Sequence, residues 1–105
     1  MNSQINPGAD ADLIERFLEM LAAERGVARN TLLAYRSDLA AASEMLAGKL
    51  AAASKDTLAI LTAGWSHLAN SSIARKAAAL RGFFGFLEEE GFRPDNPSAA
   101  LPRPV

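Results

Sequence analysis

Apolar residues recur at three- and four-residue spacing in three segments of the chain, the spacing that lines one face of an α-helix. These apolar stripes are Leu13, Ile14, Phe17, Leu18 and Leu21; Leu32, Tyr35, Leu39, Ala42 and Leu46; and Ile73, Ala77, Leu80, Phe84 and Leu87. A further, shorter segment after Ser54 carries Leu58, Ile60 and Leu61. No alternating strand pattern, heptad array or internal repeat accompanies them. The pattern therefore predicts an all-α domain with four main helices.

Residues that commonly begin or end helices flank each stripe. The first predicted helix is capped by Asp10 or Asp12 and ended by Gly26, and the second runs from about 29 to 47 and is ended by Gly48. The third is capped by Ser54 and ended or interrupted by Gly64, and the fourth runs from about 73 to 90, capped within Asn70, Ser71 and Ser72 and ended by Gly91. Residues 65–69 fit either a short helical piece or a continuation of the third helix after a kink.

The two ends of the chain lack this periodicity. Residues 1–9 predict a flexible arm ahead of a helical domain at 10–97. Four prolines punctuate the closing stretch, and within it residues 98–101 fit one helical turn. We expect residues 98–105 to begin an interdomain linker.

Composition limits the function classes that remain. With 105 residues, half of them hydrophobic, the chain fits one domain with a single core. It contains no cysteine and one histidine, His67, so it lacks the ligands for a thiolate or histidine-based metal site and cannot form a histidine pair. No stretch approaches the ~18 consecutive apolar residues of a membrane span. We therefore expect a cytoplasmic, non-enzymatic chain without a metal or cofactor.

Charge is distributed unevenly, although the net charge is only −1. Acidic residues are absent between Glu24 and Asp38, and again from residue 71 to residue 87. The second of these stretches carries Arg75, Lys76 and Arg81. Such stretches are most often solvated helix faces, and charge alone does not separate that interpretation from anion binding.

The start of the second helix has the residues that suit a phosphate. Arg29 and Arg36 are seven positions apart and lie close to one line along the helix. Asn30 and Thr31 fall in its first turn, where free backbone N–H groups attract anions.

The fourth helix combines cations with glycines. Its periodicity places Arg75 roughly opposite the apolar stripe, with Lys76 and Arg81 flanking the stripe and Gly82 on the outer face beside Arg75. Each helical glycine, Gly82 and Gly85, costs roughly 1 kcal/mol relative to alanine. A close approach by a ligand or by a neighbouring helix would explain both glycines.

Three stretches in this order carry a resemblance to a known family: LIERFLEMLAAERGVARNTLLAYRSDL, SSIARKAAALRGFFGFLEEEGF and NPSAAL. They resemble the N-terminal core-binding domain of tyrosine site-specific recombinases of the phage-integrase superfamily, especially its XerC/XerD-like bacterial branch. The match covers residues 12–104. Each fragment alone is weak, and the order and spacing of all three make the resemblance specific.

The resemblance implies a SAM-like bundle of four helices that forms one half of a clamp around duplex DNA. Helices two and four would lie along the major groove of a recombination half-site, and other recombinase subunits would be partners. A separate C-terminal domain carries the catalytic residues in that family. We therefore expect this chain to be one domain of a larger recombinase, without a small-molecule substrate or a membrane partner.

The DNA-binding residues that the resemblance implies are Arg29, Asn30, Thr31, Tyr35, Arg36, Ser72, Arg75, Lys76 and Arg81. Those on the second helix would bind phosphates. Arg75 and Lys76 would reach base edges or adjacent phosphates, since arginine can bind guanine through two hydrogen bonds. Tyr35 lies on the core stripe and is not the family's nucleophile, and Arg81 fits a structural ion pair nearly as well as a DNA contact.

Two other function classes stay open on the sequence. A protein-interaction module would use Trp65, the glycine-bearing face and Phe86, which falls off the apolar stripe and either packs under the C-terminal segment or marks a partner surface. In such a module Arg36 and Arg75 would be dispensable. A small enzyme would need a cofactor to supply its chemistry, and no cofactor motif is present.

Overall fold

The computed structural model describes residues 9–101, so most of the predicted arm and the end of the predicted linker lie outside the described residues. Four α-helices follow one another along the chain: α1 (Asp10–Arg25), α2 (Arg29–Met45), α3 (Lys55–Ala63) and α4 (Asn70–Glu89). A closing 3-10 helix spans Pro97–Ala100. Residues 9–101 contain no strand, which confirms the predicted all-α class.

Two helix boundaries follow directly from local chemistry. Gly26 adopts a left-handed conformation with φ 60°, and its N–H donates to the Leu21 carbonyl, which ends α1 where the sequence predicts. Ser54 caps α3 by accepting a hydrogen bond from the Thr57 N–H. Residues 65–67 form turns between α3 and α4, so the predicted short helix or kinked continuation is wrong.

The predicted caps of α1 and α4 are wrong. Both helices begin one residue after an alanine, Ala9 and Ala69, and neither start has a capping side chain. Asp10 is instead the first residue of α1, and Ser72 is the third residue of α4. The first turns of both helices therefore keep backbone N–H groups without an intrahelical acceptor.

The core lies where α1, α2 and α4 pack against one another, and the closing helix packs against both α3 and α4. Its largest fully buried side chains include Phe17, Leu39, Leu58, Phe83 and Phe84. The predicted apolar stripes supply most of this core. Of the apolar residues that the third predicted helix carries, Leu58 and Leu61 are buried, whereas Ile60 is 77% exposed.

Gly82 and Phe86 both fall outside the α4 stripe, and both pack inward against α1. A Cβ at Gly82 would lie 2.9 Å from Cζ of Phe17, so the predicted outer-face position of Gly82 is wrong. Phe86 is buried, with its ring centroid 5.8 Å from that of Phe17 and 6.3 Å from that of Phe92. Close helix packing therefore explains Gly82, and Phe86 does not mark a partner surface.

Two charged side chains hold the connection between α2 and α3. The buried Asp10 carboxylate accepts hydrogen bonds from the Leu50 N–H at 2.8 Å and the Ala51 N–H at 2.9 Å, and also from the Ser43 hydroxyl. Arg93 donates to the carbonyls of Ala51 and Ala53. The connection is therefore fixed to the start of α1 and to the segment that follows α4.

The closing helix confirms the helical turn predicted near the C-terminal end. Asn96 caps it by accepting from the Ser98 N–H, and Pro97 occupies its first position. Leu101, one residue beyond the helix, is 5% exposed and belongs to the core. Packing against the bundle therefore continues past residue 97, while the domain boundary at that residue stays a prediction.

Candidate nucleic-acid interface

The first turn of α2 is exposed and carries no acid. Ala28 precedes the helix in an extended conformation without a capping side chain, and the first backbone hydrogen bond of the helix runs from the Leu32 N–H to the Ala28 carbonyl. Arg29, Asn30 and Thr31 are all exposed. Their backbone N–H groups therefore face solvent at the positive end of the helix dipole, an arrangement that favours an anion.

Two turns further along α2, Arg36 is held by an acid from α1. Its Nε donates to Glu15 Oε2 at 2.7 Å and its Nη2 donates to Oε1 at 2.8 Å, a pair joined by two hydrogen bonds. Both side chains are about half exposed, 45% for Arg36 and 49% for Glu15. The hydrogen bond from Arg36 lowers the pKa of Glu15 from its ordinary value. Water can therefore reach both partners of this pair.

The ion pair of Arg36 and Glu15 borders a groove between α1 and α2. The groove has a volume of about 340 Å³, and Arg29 lines it together with Leu33 and Leu32. Arg29 and Arg36 thus share one flank of α2, as their seven-residue spacing predicts.

On the opposite flank of α2, Asp38 joins this helix to α4. Its Oδ2 accepts from Arg75 Nε at 2.7 Å, and its Oδ1 accepts from Arg75 Nη2 at 2.9 Å and from Lys76 Nζ at 3.1 Å. The Asp38 side chain is 4% exposed, whereas the Arg75 side chain is 44% exposed and the Lys76 side chain 21%. One buried carboxylate therefore holds two cations that reach the surface.

The charges in this cluster stabilise one another. Burial raises the pKa of Asp38, but the hydrogen bonds from Arg75 and Lys76 outweigh it and leave that pKa below its ordinary value. The hydrogen bond with Asp38 in turn raises the pKa of Arg75. With one acid and two bases ionised, the cluster carries a single net positive charge at neutral pH.

Acid will weaken the fold through Asp38. Its pKa lies below 3.8 in the folded chain, so its charged form contributes stability above that pH, and the contribution is lost as the pH falls through the folded-state pKa. We expect the difference in free energy of unfolding between the wild type and Asp38→Asn to shrink between pH ~6 and pH ~2, as measured by urea denaturation. A difference that stays constant over this range would show that the Asp38 charge does not stabilise the fold.

The remaining predicted site residues are Tyr35, Ser72 and Arg81. Tyr35 is partly buried and packs against the core. Ser72 is partly buried in the first turn of α4. Arg81 lies on the side of α4 that faces α1, where it lines a second groove with Arg25 and Glu89. The structure therefore brings Arg75 and Lys76 together and places Arg81 elsewhere.

The sequence interpretation missed both acidic partners. It placed Arg75 opposite the core stripe, but the side chain turns toward α2 because a buried carboxylate lies there. A signal was present, since Asp38 is the one acid between Glu24 and Glu44. Nothing in the sequence pattern linked Glu15 to Arg36, because the two residues are 21 positions apart on different helices.

Two further features were sought within the described residues, a metal-binding cluster and a membrane-spanning helix. Within residues 9–101, no three His, Cys, Asp or Glu side chains come together as metal ligands. No helix in the same range is long and apolar enough to cross a membrane.

Comparisons with known proteins agree on one family. The family described as phage integrase, N-terminal SAM-like domain, matches residues 14–91. Tyrosine recombinase XerC of Erythrobacter litoralis (strain HTCC2594) is 62% identical over 92 residues, which cover 88% of this chain and 30% of that protein. Tyrosine recombinase XerD of Brucella suis biovar 1 (strain 1330) is 49% identical over 96 residues, covering 87% of this chain and 31% of that protein. Tyrosine recombinase XerD of Agrobacterium fabrum (strain C58 / ATCC 33970) is 38% identical over 109 residues, which cover 99% of this chain and 33% of that protein.

No solved structure matches the chain at a significant level. The chain spans about a third of the length of the curated relatives named above. Its four helices agree with the SAM-like bundle that the resemblance implies. Since the family matches most of the sequence, the chain belongs to the phage integrase N-terminal SAM-like domain family.

Proposed function

We propose that this chain is the DNA-binding domain of a tyrosine recombinase, and that α2 and α4 clamp a recombination half-site duplex. The observation that carries the proposal is the Asp38 cluster, which joins these two helices and leaves Arg75 44% exposed. A guanidinium fixed at the surface by a buried acid is suited to bind a phosphate or a guanine edge.

The exposed face of α2 supports the same proposal. Arg36 contacts α1 and Asp38 contacts α4, so the two cationic clusters lie on opposite flanks of α2. Between them the exposed face bears the small side chains Ser37, Ala40 and Ala41, and Leu33 and Glu44 are exposed on the same face toward its two ends. A duplex backbone could approach this face closely and meet cations on both flanks.

The charge balance sets the expected affinity. Non-specific binding to DNA depends on the number of phosphates that cations neutralise, and the net charge of this chain is −1. We therefore expect weak and steeply salt-dependent binding by the isolated chain. In a longer recombinase, tethering to a second DNA-binding domain would raise the effective concentration and restore affinity.

The catalytic part of the proposed recombinase lies outside the residues of this chain. The curated relatives are about three times as long and are described as tyrosine recombinases, so we assign strand cleavage to the remaining length and DNA positioning to this domain. Other recombinase subunits are the protein partners under this proposal. Because bacterial DNA lies in the cytoplasm, the proposal places the protein there.

The protein-interaction alternative required Phe86 and Trp65 to be exposed on the surface. Phe86 is buried in the core, and Trp65 is partly buried against it. Among residues 9–101 the large exposed apolar side chains are Leu33, Met45 and Ile60. They lie on two helices and do not outweigh the cationic clusters, so DNA binding stays the first choice.

A fluorescence-anisotropy titration tests the proposal. The chain is titrated with a Xer-type half-site duplex and a scrambled duplex, each at low and moderate salt. We expect Arg36→Ala and Arg75→Ala each to weaken half-site binding roughly tenfold, because each removes a direct contact with DNA. Arg75→Ala should also narrow the difference in affinity between the two duplexes.

Arg16→Ala is the matched control for this titration. Arg16 pairs with Asp12 on an exposed part of α1, so its replacement removes the same charge without touching either cluster. We expect a change of no more than about twofold, because Arg16 is exposed and pairs with Asp12 rather than with either cluster, and solvent and salt screen its charge. Equal losses in all three variants, or no binding at low salt, would overturn the proposal and favour the protein-interaction module.

A further inference from the structure

Two of the arginines proposed to bind DNA, Arg36 and Arg75, are paired in very different ways. Glu15 is 49% exposed, and its pair with Arg36 lies at the surface. Asp38 is 4% exposed, and its pair with Arg75 has one partner inside the protein. Because the two acids differ in burial, we expect their ion pairs to respond differently when a DNA phosphate approaches the arginine.

An exposed acid competes with an incoming phosphate. Nε and Nη2 of Arg36 already donate to Glu15, so a DNA phosphate that binds Arg36 through these two atoms must displace the carboxylate. Water can solvate Glu15 once Arg36 leaves, so the pair opens at small cost. Glu15 thus lowers the availability of Arg36 for DNA.

A buried acid behaves as a fixed anchor. If Arg75 left Asp38, the carboxylate would lose two hydrogen bonds in a place that water hardly reaches. The bound edge of Arg75 consists of Nε and Nη2, so its Nη1 group stays outside the pair. A phosphate or base edge can therefore be added at Nη1 while Asp38 continues to hold the guanidinium.

We propose that Asp38 is a positioning residue, whose buried carboxylate orients Arg75 and Lys76 toward DNA, whereas the exposed Glu15 competes with DNA for Arg36. This inference rests on the proposed DNA-binding function. It assigns opposite effects to two carboxylates that each pair with an arginine on or beside α2.

Two substitutions with the same charge change test this inference. Glu15→Gln and Asp38→Asn each remove one negative charge from the 105-residue chain, so long-range electrostatics alone would make both bind DNA more tightly. We expect Glu15→Gln to bind the half-site duplex about threefold more tightly and Asp38→Asn to bind it at least fivefold more weakly. Anisotropy titrations at one salt concentration measure both affinities.

A double-mutant cycle separates positioning from loss of structure. If Asp38 acts through Arg75, the weakening caused by Asp38→Asn should largely disappear when Arg75 is already alanine. Circular dichroism melts set a temperature at which every variant is folded. Asp38→Glu provides a second variant, because it keeps the charge but displaces the carboxylate, and we expect it to weaken binding at unchanged net charge.

The possible failures are distinguishable. Three results would each show that Asp38 does not position Arg75. Asp38→Asn could tighten binding as Glu15→Gln does, it could weaken binding equally with and without Arg75→Ala, or Asp38→Glu could bind like the wild type. If Glu15→Gln leaves the affinity unchanged, then Glu15 does not compete for Arg36. If the wild type does not bind the duplex at all, the proposed function itself fails.

Discussion

Asp10→Asn is expected to lower the free energy of unfolding by about 3 kcal/mol, a large share of the stability of a domain of this size. The Asp10 carboxylate is 3% exposed and accepts two backbone N–H groups and one hydroxyl from residues 33 to 41 positions away. Asparagine offers one oxygen instead of two and turns an N–H₂ group toward a backbone donor. At least one buried N–H would then lack an acceptor, which costs about 1–3 kcal/mol by itself.

Asp12→Asn is the matched control for this substitution. Asp12 lies two residues further along α1, where it pairs with Arg16 at the surface. Exposed ion pairs contribute at most about 1 kcal/mol, so we expect a change below that value. Urea denaturation of both variants at neutral pH measures the difference. Equal effects of the two substitutions would mean that the connection between α2 and α3 does not depend on Asp10.

Phe17→Ala is expected to cost about 4 kcal/mol. Phe17 is 1% exposed, and its ring packs against those of Phe83 and Phe86 at centroid distances of 5.9 and 5.8 Å. Removal of the ring leaves a cavity at the α1–α4 contact that surrounding helices can fill only partly. Chemical denaturation measures the loss of stability.

The same contact makes the effect of Gly82→Ala depend on Phe17. Alanine improves helix propensity by about 1 kcal/mol, but its Cβ would lie 2.9 Å from a buried ring that other aromatic side chains hold in place. Overpacking of this kind costs about 1–3 kcal/mol, so we expect Gly82→Ala to destabilise the wild type. In the Phe17→Ala background we expect the same substitution to stabilise the chain, because the ring is gone.

Gly85→Ala is the internal control for this reversal. A Cβ at Gly85 would lie 3.9 Å from the nearest side-chain atom, Nδ2 of Asn96, which is an ordinary contact. We therefore expect Gly85→Ala to stabilise both backgrounds by up to about 1 kcal/mol. If Gly82→Ala has the same sign with and without Phe17, then steric contact with the ring is not the reason for a glycine at position 82.

Periodicity and local capping chemistry predicted much of the fold. The apolar stripes placed Leu39, Phe84 and Leu87 in the core, where each is fully buried. Gly26 and Ser54 act at helix boundaries through hydrogen bonds to residues within a few positions of themselves. Information of this kind lies within one or two helical turns, so it can be read along the chain.

The candidate site was predicted only in part. The sequence indicated which cations to consider, and the family resemblance that it carried is confirmed by the match over residues 14–91. It did not indicate that Arg75 turns toward α2, because the partner Asp38 is 37 positions away. The contact of each predicted residue with DNA stays a prediction.

The sequence by itself determined the helices, the apolar face of most of them and the family. The tertiary structure alone decided which charges meet: Asp10 with the connection after α2, Glu15 with Arg36, and Asp38 with Arg75 and Lys76. Helix-forming patterns repeat over three or four residues, whereas these contacts join groups 21 to 41 positions apart. Such contacts exist only after the helices have packed, because packing brings the partners together and, around Asp10 and Asp38, excludes most of the water.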